Sequence, residues 1–175
     1  PFFHPLSQGI ALEGIYIVHQ YLLRAFHDGK DIEARGHMLV ASSMGSTAFQ
    51  KGLGAIHSLS HPVGAIYNTH HGLTNAVFMP YVLLKNKDAI KKRIENLTRY
   101  INLSEKNFDG FLKWILDLRK QLIVPHTLKE LINDDSRFEE MSIMAFNDPS
   151  TGGNPIQLTD KDFFQLYNNS YYGKL

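Results

Sequence analysis

The sequence contains no cysteine, and its formal net charge is only +1 over 175 residues. Without cysteine there can be no disulfide framework and no thiolate metal site. That composition suits a reducing compartment, and we predict a cytoplasmic protein. The small net charge gives no electrostatic case for binding nucleic acid. The longest apolar run, residues 76–84, is far short of the ~20 residues that span a bilayer, so no membrane association is predicted.

In other respects the composition is that of an ordinary globular chain, with 43% apolar and 20% charged residues. Its length allows one domain with a substantial core. We find no internal repeat, no low-complexity segment and no convincing domain boundary, and therefore predict a single helical domain over residues 1–175. The first residue is Pro1 rather than Met, and we interpret the chain as a piece of a longer one.

Helical periodicity dominates the sequence, and no alternating strand pattern of useful length occurs. Apolar residues at helical spacing follow a candidate N-cap at Ser7 and stop before Gly29. Asp31 is placed to cap a second helix over residues 32–50, and the histidine-rich segment begins after Gly54. The fold class predicted from these patterns is all-α, a bundle of about seven or eight helices.

The later helices are predicted from the same periodicity and from breakers. They cover about residues 72–84, 90–101, 108–122, 127–132 and 135–146, and a final helix runs from a cap at Thr159 to about residue 171. Pro80 is expected to bend or interrupt the first of these. Residues 147–157, NDPSTGGNPIQ, have the composition of a loop.

Histidines are concentrated in one segment. Residues 52–72, GLGAIHSLSHPVGAIYNTHHG, hold four of the nine histidines. His57 and His61 are four residues apart, which places both imidazoles on one face of a helix. His71 follows a turn and starts the next helix, so a divalent cation between the two helices would explain the arrangement. The pattern is not the protease motif HExxH, because Ser58 stands where its Glu would be.

Spacing alone leaves two interpretations of this segment open. A single buried histidine is more often a hydrogen-bonded core residue than a metal ligand. The pair at i, i+4 together with a third histidine nearby makes the two interpretations about equally favoured. Catalytic metals generally have three or more protein ligands and an open position. No other cluster of Asp, Glu or His stands out in the sequence. The spacing therefore predicts, at most, a metal site with an incomplete set of ligands.

A family resemblance adds to this. The run GLGAIHSLSHPVGAIYNTHHGLTNAVFMPYVL closely resembles the signature of the iron-containing alcohol dehydrogenases. The resemblance extends through HPLSQGIALEGI, DIEARGHMLVASSMGSTAFQKG, VPHTL and GGNPIQLTDKDF, and so covers essentially the whole chain. It implies the helical, metal-binding C-terminal half of a two-domain enzyme. The N-terminal half in that family, an α/β dinucleotide-binding domain with a Gly-rich phosphate loop, has no counterpart in these 175 residues.

The resemblance also implies roles for individual residues. His57 and His71 match metal-ligating histidines. His61 matches a histidine that is not a ligand but faces the nicotinamide and the substrate, where it helps to relay the alcohol proton; it is the predicted catalytic and cofactor-binding residue. His70 matches a variable position and is expected to be partly exposed. Two further family ligands, an Asp and a His four residues apart, would fall before Pro1.

Three other side chains bear on the predicted site. His4 follows the wrong pattern to replace the missing ligands, and we interpret it as structural. Phe49 and Phe78 are candidates for lining an apolar substrate pocket, although aromatic residues on helices more often belong to the core.

By resemblance, the parent enzyme is an alcohol dehydrogenase that depends on NAD or NADP and on a divalent metal. It interconverts an alcohol and an aldehyde or ketone by hydride transfer. The expected metal is Fe²⁺, with Zn²⁺ or another divalent ion as the alternative. The expected partner is a small alcohol or aldehyde, and the expected assembly is a homodimer. The isolated chain is predicted to bind metal weakly and to be inactive.

The sequence leaves two alternatives open. One is the related zinc-dependent glycerol dehydrogenase branch, whose histidine segment differs from the one found here. The other is a non-catalytic helical module that binds a protein partner, or associates with itself, through the surface that a nucleotide-binding domain would normally cover.

Overall fold

The computed structural model describes residues 4–175, and all regular structure in that range is helical. The eight α-helices are α1 (Pro5–His27), α2 (Ile32–Ala48), α3 (Ala55–Tyr67), α4 (His71–Lys85), α5 (Lys87–Tyr100), α6 (Phe108–Gln121), α7 (Phe138–Phe146) and α8 (Asp160–Tyr172). Short 3₁₀ helices lie at η1 (Phe49–Lys51), η2 (Leu128–Glu130) and η3 (Pro149–Gly153). The prediction of an all-α fold with seven or eight helices is confirmed. None of the helices in residues 4–175 combines the length and apolar character needed to cross a membrane.

The caps predicted at Asp31 and Thr159 are present, and the cap predicted at Ser7 is shifted. Asp31 caps α2 as predicted, accepting a hydrogen bond from the backbone N–H of Ala34 at 2.9 Å. Helix α1, however, is capped by His4, whose Nδ1 accepts from the N–H of Ser7 at 3.1 Å. The predicted cap, Ser7, therefore lies inside the first turn, where Pro5 needs no N–H partner.

Other differences concern short elements. Pro80 does not interrupt α4, which continues to Lys85. The helix tolerates the loss of one backbone hydrogen bond because residues before and after the proline, such as Phe78 and Tyr81, are buried in the core. The helix predicted at 127–132 is the 3₁₀ helix η2, and α7 begins at residue 138 rather than 135. The segment 147–157, predicted as a loop, contains η3.

The described chain divides into two compact units. The first comprises residues 4–51 and 91–111, and the second comprises residues 52–90 and 112–175. The prediction of a single domain stays a prediction. In the first unit, α1 packs on α2 where Gly14 lies against Met44, and the ring of Tyr21 stacks on His37 at a centroid distance of 3.9 Å. Phe49 lies in this unit and is 54% exposed.

The core of the second unit is built around Tyr167. Its ring, fully buried, stacks on Phe138 at a centroid distance of 5.5 Å and forms a T-shaped pair with Phe78 at 5.6 Å. Its hydroxyl donates to the carbonyl of Leu59 at 2.8 Å, which satisfies the one polar atom of the side chain. Phe78 is thus a core residue, and the core joins α3, α4, α7 and α8.

Asn154 joins three segments of the second unit. Its side chain exchanges two hydrogen bonds with Asn86, the C-cap of α4, each at 3.0 Å. The same Oδ1 accepts from the N–H of Ala55, the first residue of α3, at 3.3 Å. Next to it, a Cβ on Gly153 would lie 1.8 Å from the carbonyl oxygen of Leu53, so only glycine permits this approach. The Gly- and Asn-rich segment is therefore a packed part of the unit.

Three helices end with the same type of backbone hydrogen bond. After α5, α6 and α8 a residue with positive φ follows: Asn102 (56°), Ile123 (57°) and Gly173 (69°). The residue after each one donates back over five positions, as Val124 does to Arg119 at 2.9 Å. This Schellman geometry favours glycine and tolerates asparagine. A β-branched side chain is strained there, and Ile123 is also 81% exposed.

We predict that Ile123→Gly stabilises the protein. Relief of the left-handed strain stabilises the folded state by about 1–2 kcal/mol. Glycine also makes the unfolded chain more flexible, and this offsets roughly half of that stabilisation. The free energy of unfolding in urea should rise by about 0.5–1 kcal/mol. Asn102→Gly is the matched control and should change the stability by only a few tenths of a kcal/mol. A loss of stability in Ile123→Gly would contradict the assignment of strain.

An ion pair links α4 to the start of α8. Lys85 Nζ lies 2.6 Å from Asp162 Oδ1. Asp162 Oδ2 accepts from the N–H and the hydroxyl of Thr159, the predicted cap of α8. Burial opposes ionisation of Asp162, but the hydrogen bonds from Lys85 and Thr159 outweigh it and lower the pKa to about 2.

This pair predicts a pH-dependent contribution to stability. Because the folded pKa of Asp162 lies below the unfolded value of 3.8, the contribution is present above that value and is lost as the pH falls towards 2. We expect Asp162→Asn to lower the free energy of unfolding by about 1–2 kcal/mol near neutral pH and by almost nothing near pH 2. Asp160→Asn, which changes the exposed carboxylate two residues earlier, serves as the control. A pH-independent deficit in Asp162→Asn would exclude the ion pair as its source.

Candidate metal centre

Helices α3 and α4 bring three histidines of the second unit together. The ring centroids of His57 and His61 lie 6.0 Å apart on one face of α3. His71, the first residue of α4, lies 5.2 Å from His57 and 5.4 Å from His61. The three residues that spacing and resemblance selected are therefore neighbours in the structure.

The adjacent residues His70 and His71 have different surroundings. His70 is exposed and is the N-cap of α4, where its Nδ1 accepts from the N–H of Leu73 at 3.3 Å. Asn68, in the left-handed conformation at φ 53°, ends α3 just before it. Capping directs the His70 side chain to the backbone, whereas the His71 side chain faces the other two histidines.

A single amide joins the two predicted ligands. Asn75 Nδ2 lies 3.0 Å from His71 Nε2 and 3.4 Å from His57 Nε2. An amide NH₂ group can only donate, so each Nε2 presents a lone pair to it. The Nε2 atoms of His57 and His71 thus converge on one place rather than pointing into separate environments.

Ser60 favours the same tautomer of His71. Its hydroxyl donates to the carbonyl of His57 at 3.1 Å and lies 3.4 Å from His71 Nδ1. Since the hydroxyl hydrogen is used, the Ser60 oxygen accepts from Nδ1–H. A ring held through Nδ1–H with Nε2 unprotonated is the usual form of a metal-ligating histidine.

The electrostatics of His57 favour its neutral form. Burial lowers the pKa of His57, and the neighbouring His71 and His61 lower it further, against a smaller opposing effect of Asp148. Metal ions bind the neutral imidazole, so a lowered pKa reduces the competition of protons for the ligand atom.

His61 has a different partner. Its Nδ1 lies 2.7 Å from Asp148 Oδ2, in the segment that follows α7. Burial would raise the pKa of Asp148, but hydrogen bonds from His61 and from Ser150 outweigh that effect and lower it. Asp148 is therefore a carboxylate, and only an acceptor.

Sequence reasoning missed both Asn75 and Asp148. Asn75 lies four residues after His71 on α4, so the same helical spacing that paired His57 with His61 could have found it. Asp148 is 87 residues away from His61, and no local pattern indicates that contact.

The polar groups around the two Nε2 atoms suit a cation. The NH₂ group of Asn75 can give one N–H to each of the two Nε2 atoms, whereas Asn75 Oδ1 is buried without a hydrogen bond from any residue in the described range. A positive ion beside this amide would satisfy the unpaired oxygen and could take the two imidazole lone pairs in place of the NH₂ group. No group of three or more His, Asp or Glu side chains in residues 4–175 is arranged to hold a metal. The chain thus brings the two predicted ligands together, and the metal site itself stays a prediction.

Comparison with known proteins places the chain in a family. The C-terminal model of the Fe-containing alcohol dehydrogenase family matches residues 3–171, and the chain belongs to this family. The solved structure of the iron-containing alcohol dehydrogenase from Thermococcus thioreducens superposes with a TM-score of 0.86 at 28% identity, over 98% of this chain and 45% of that one. The helical fold described above is therefore the fold of the C-terminal domain in this family.

Two curated relatives are similar over nearly the whole chain. The 4-hydroxybutyrate dehydrogenase of Cupriavidus necator is 35% identical over 181 residues, which is 97% of this chain and 46% of that protein. The NADPH-dependent butanol dehydrogenase of Clostridium saccharobutylicum is 29% identical over 178 residues, 97% of this chain and 45% of that protein. The chain thus spans less than half the length of these relatives.

We predict that His57 and His71 together determine metal binding by this chain. The wild-type chain should take up Zn²⁺ or, without oxygen, Fe²⁺ weakly, and either His57→Ala or His71→Ala should weaken the affinity by roughly 100-fold or more. Equilibrium dialysis with elemental analysis measures this. His70→Asn removes an adjacent imidazole but keeps a good N-cap, so it should bind like wild type. Unchanged uptake in the His57 and His71 variants would overturn the ligand assignment.

Proposed function

We propose that this chain is the metal-binding helical part of an NAD(P)-dependent alcohol dehydrogenase. The enzyme would interconvert an alcohol and an aldehyde or ketone by hydride transfer. The observation that carries the proposal is the convergence of His57 Nε2 and His71 Nε2 on the amide of Asn75, at 3.4 and 3.0 Å. Membership of the Fe-containing alcohol dehydrogenase family supports it.

In this proposal His57 and His71 would hold the metal. When bound, a divalent ion supplies Lewis acidity to the alcohol or carbonyl oxygen of the substrate. The chain's contribution is to present two neutral imidazoles from two helices and to fix their tautomers through Asn75 and Ser60. Fe²⁺ is the proposed ion, in agreement with the family, and imidazole suits Zn²⁺ as well.

His61 would handle the alcohol proton. Its side chain is 42% exposed, and its ring is nearly parallel to that of His71, with an angle of 16° between the planes. It therefore lies beside the proposed ligands and remains accessible to a substrate. A group in this position can accept the proton that leaves the alcohol during oxidation and return it during reduction.

The nicotinamide cofactor and the substrate class rest on the relatives. One relative is named for NADPH and butanol, and another for 4-hydroxybutyrate. We propose a small alcohol or aldehyde as substrate and NAD or NADP as the hydride carrier, whose chemistry belongs to the cofactor. The homodimer and the cytoplasmic location stay predictions.

The isolated 175-residue chain should not oxidise alcohols, because it offers two convergent metal ligands and no Gly-rich phosphate loop. A polypeptide that extends it with a nucleotide-binding domain should turn over short primary alcohols with added Fe²⁺. Cofactor reduction measured over a panel of short alcohols tests both statements.

His57→Ala in the extended polypeptide should abolish the metal-dependent rate, and His70→Asn should leave it intact. Alcohol oxidation by the isolated chain at a comparable rate would contradict the proposal. So would an active extended enzyme that is indifferent to His57.

A further inference from the structure

The contact between His61 and Asp148 is a short polar contact at one end of the histidine cluster. Nδ1 and Oδ2 are 2.7 Å apart, which is the length of a charge-assisted hydrogen bond. It connects the middle of α3 to the segment between α7 and η3. The carboxylate is well shielded, with 13% of its side chain exposed.

The carboxylate is held in place by bonds that do not involve His61. Asp148 Oδ1 accepts from the N–H of Ser150 at 2.8 Å and caps η3. One residue further, the hydroxyl of Thr151 donates either to the carbonyl of Ala145 at 2.7 Å or to Ser58 Oγ at 2.8 Å. These bonds tie the segment to α7 and α3, so Oδ2 is presented to His61 from a fixed frame.

This geometry selects one tautomer of His61. Because an ionised carboxylate can only accept, the proton on the neutral imidazole must lie on Nδ1. The lone pair then lies on Nε2, across the ring from Asp148. Proton relay requires a basic nitrogen facing the reactants, and Nε2 is the nitrogen that the contact leaves available.

We propose that Asp148 is a positioning residue, which holds the ring of His61 in the Nδ1–H tautomer so that Nε2 can exchange the alcohol proton. The inference rests on the proposed role of His61 in an alcohol dehydrogenase. It adds a residue outside the histidine segment to that site, and it separates His61 from the ligand pair, whose Nε2 atoms face Asn75.

An isosteric replacement tests the tautomer directly. In Asp148→Asn, the amide oxygen can keep the cap with the N–H of Ser150 while the NH₂ group takes the place of Oδ2. That group donates, so His61 Nδ1 must accept and the proton must move to Nε2. Two-dimensional ¹H–¹⁵N spectra of the imidazole rings in the 175-residue chain, at a pH where they are neutral, should show Nδ1–H in wild type and Nε2–H in the variant.

Two other variants control for folding and for charge. Glu139→Gln removes an exposed carboxylate on α7 and should leave the His61 tautomer unchanged. Asp148→Ala removes the carboxylate, and with it the hydrogen bonds to His61 and to the N–H of Ser150, and should give a mixture of tautomers. If wild type lacks Nδ1–H on His61, or if Asp148→Asn keeps it, the inference is overturned.

The kinetic test uses the extended, metal-loaded enzyme. Asp148→Asn should lower kcat by about 100-fold, the smaller end of what acid–base catalysis contributes, with KM and metal content near the wild-type values. Loss of metal, or an unchanged kcat despite a reversed tautomer, would overturn the positioning role. Failure of the proposed function would be recognised separately, because it would leave wild type inactive while the tautomers of the isolated chain still respond to Asp148.

Discussion

The geometry of the site depends on the buried amide pair of Asn86 and Asn154. Asn154 is bonded at once to the C-cap of α4 and to the first N–H of α3, and it lies in the segment that carries Asp148. Both amides are more than nine-tenths buried. Breaking one bond would leave polar groups unsatisfied away from water, at a cost of about 1–3 kcal/mol each. The pair therefore resists small displacements of the three segments that carry the clustered histidines and their partners.

Local chemistry explains what could be predicted from the sequence. The i, i+4 spacing of His57 and His61 and the caps at Asp31 and Thr159 all depend on residues within one turn of each other, and the structure has them as predicted. The cap at Ser7 was wrong by three residues because a histidine can also accept a hydrogen bond from a helix N-terminus. Such errors move a helix end without changing which face a helix presents.

Contacts distant in sequence explain what could not be predicted. The composition of residues 147–157 predicts a loop, yet its glycine and asparagine residues are used for close packing. The absence of a side chain at Gly153 leaves room for the Leu53 carbonyl, and the Asn154 side chain caps α3 from 99 residues away. Turn-forming residues are favoured wherever the backbone must come close to another segment, and composition does not distinguish that case from an open loop. The role of Asp148 could not be predicted either, because its partner His61 lies 87 residues away.

The four histidines of residues 52–72 have three different environments. What distinguishes them is which ring nitrogen is hydrogen-bonded and whether its partner is a donor or an acceptor. His70 points its Nδ1 at a backbone N–H and becomes a cap. His57 and His71 meet a donor at Nε2, which keeps that lone pair available to a cation once the amide is displaced. His61 meets an acceptor at Nδ1, which anchors the ring on the opposite side. A ring anchored to a rigid carboxylate cannot turn towards the position that the ligand pair shares without losing a charge-assisted bond, worth about 1.5–3 kcal/mol. That restraint supplies a physical reason for a third histidine to stay beside the proposed metal without binding it.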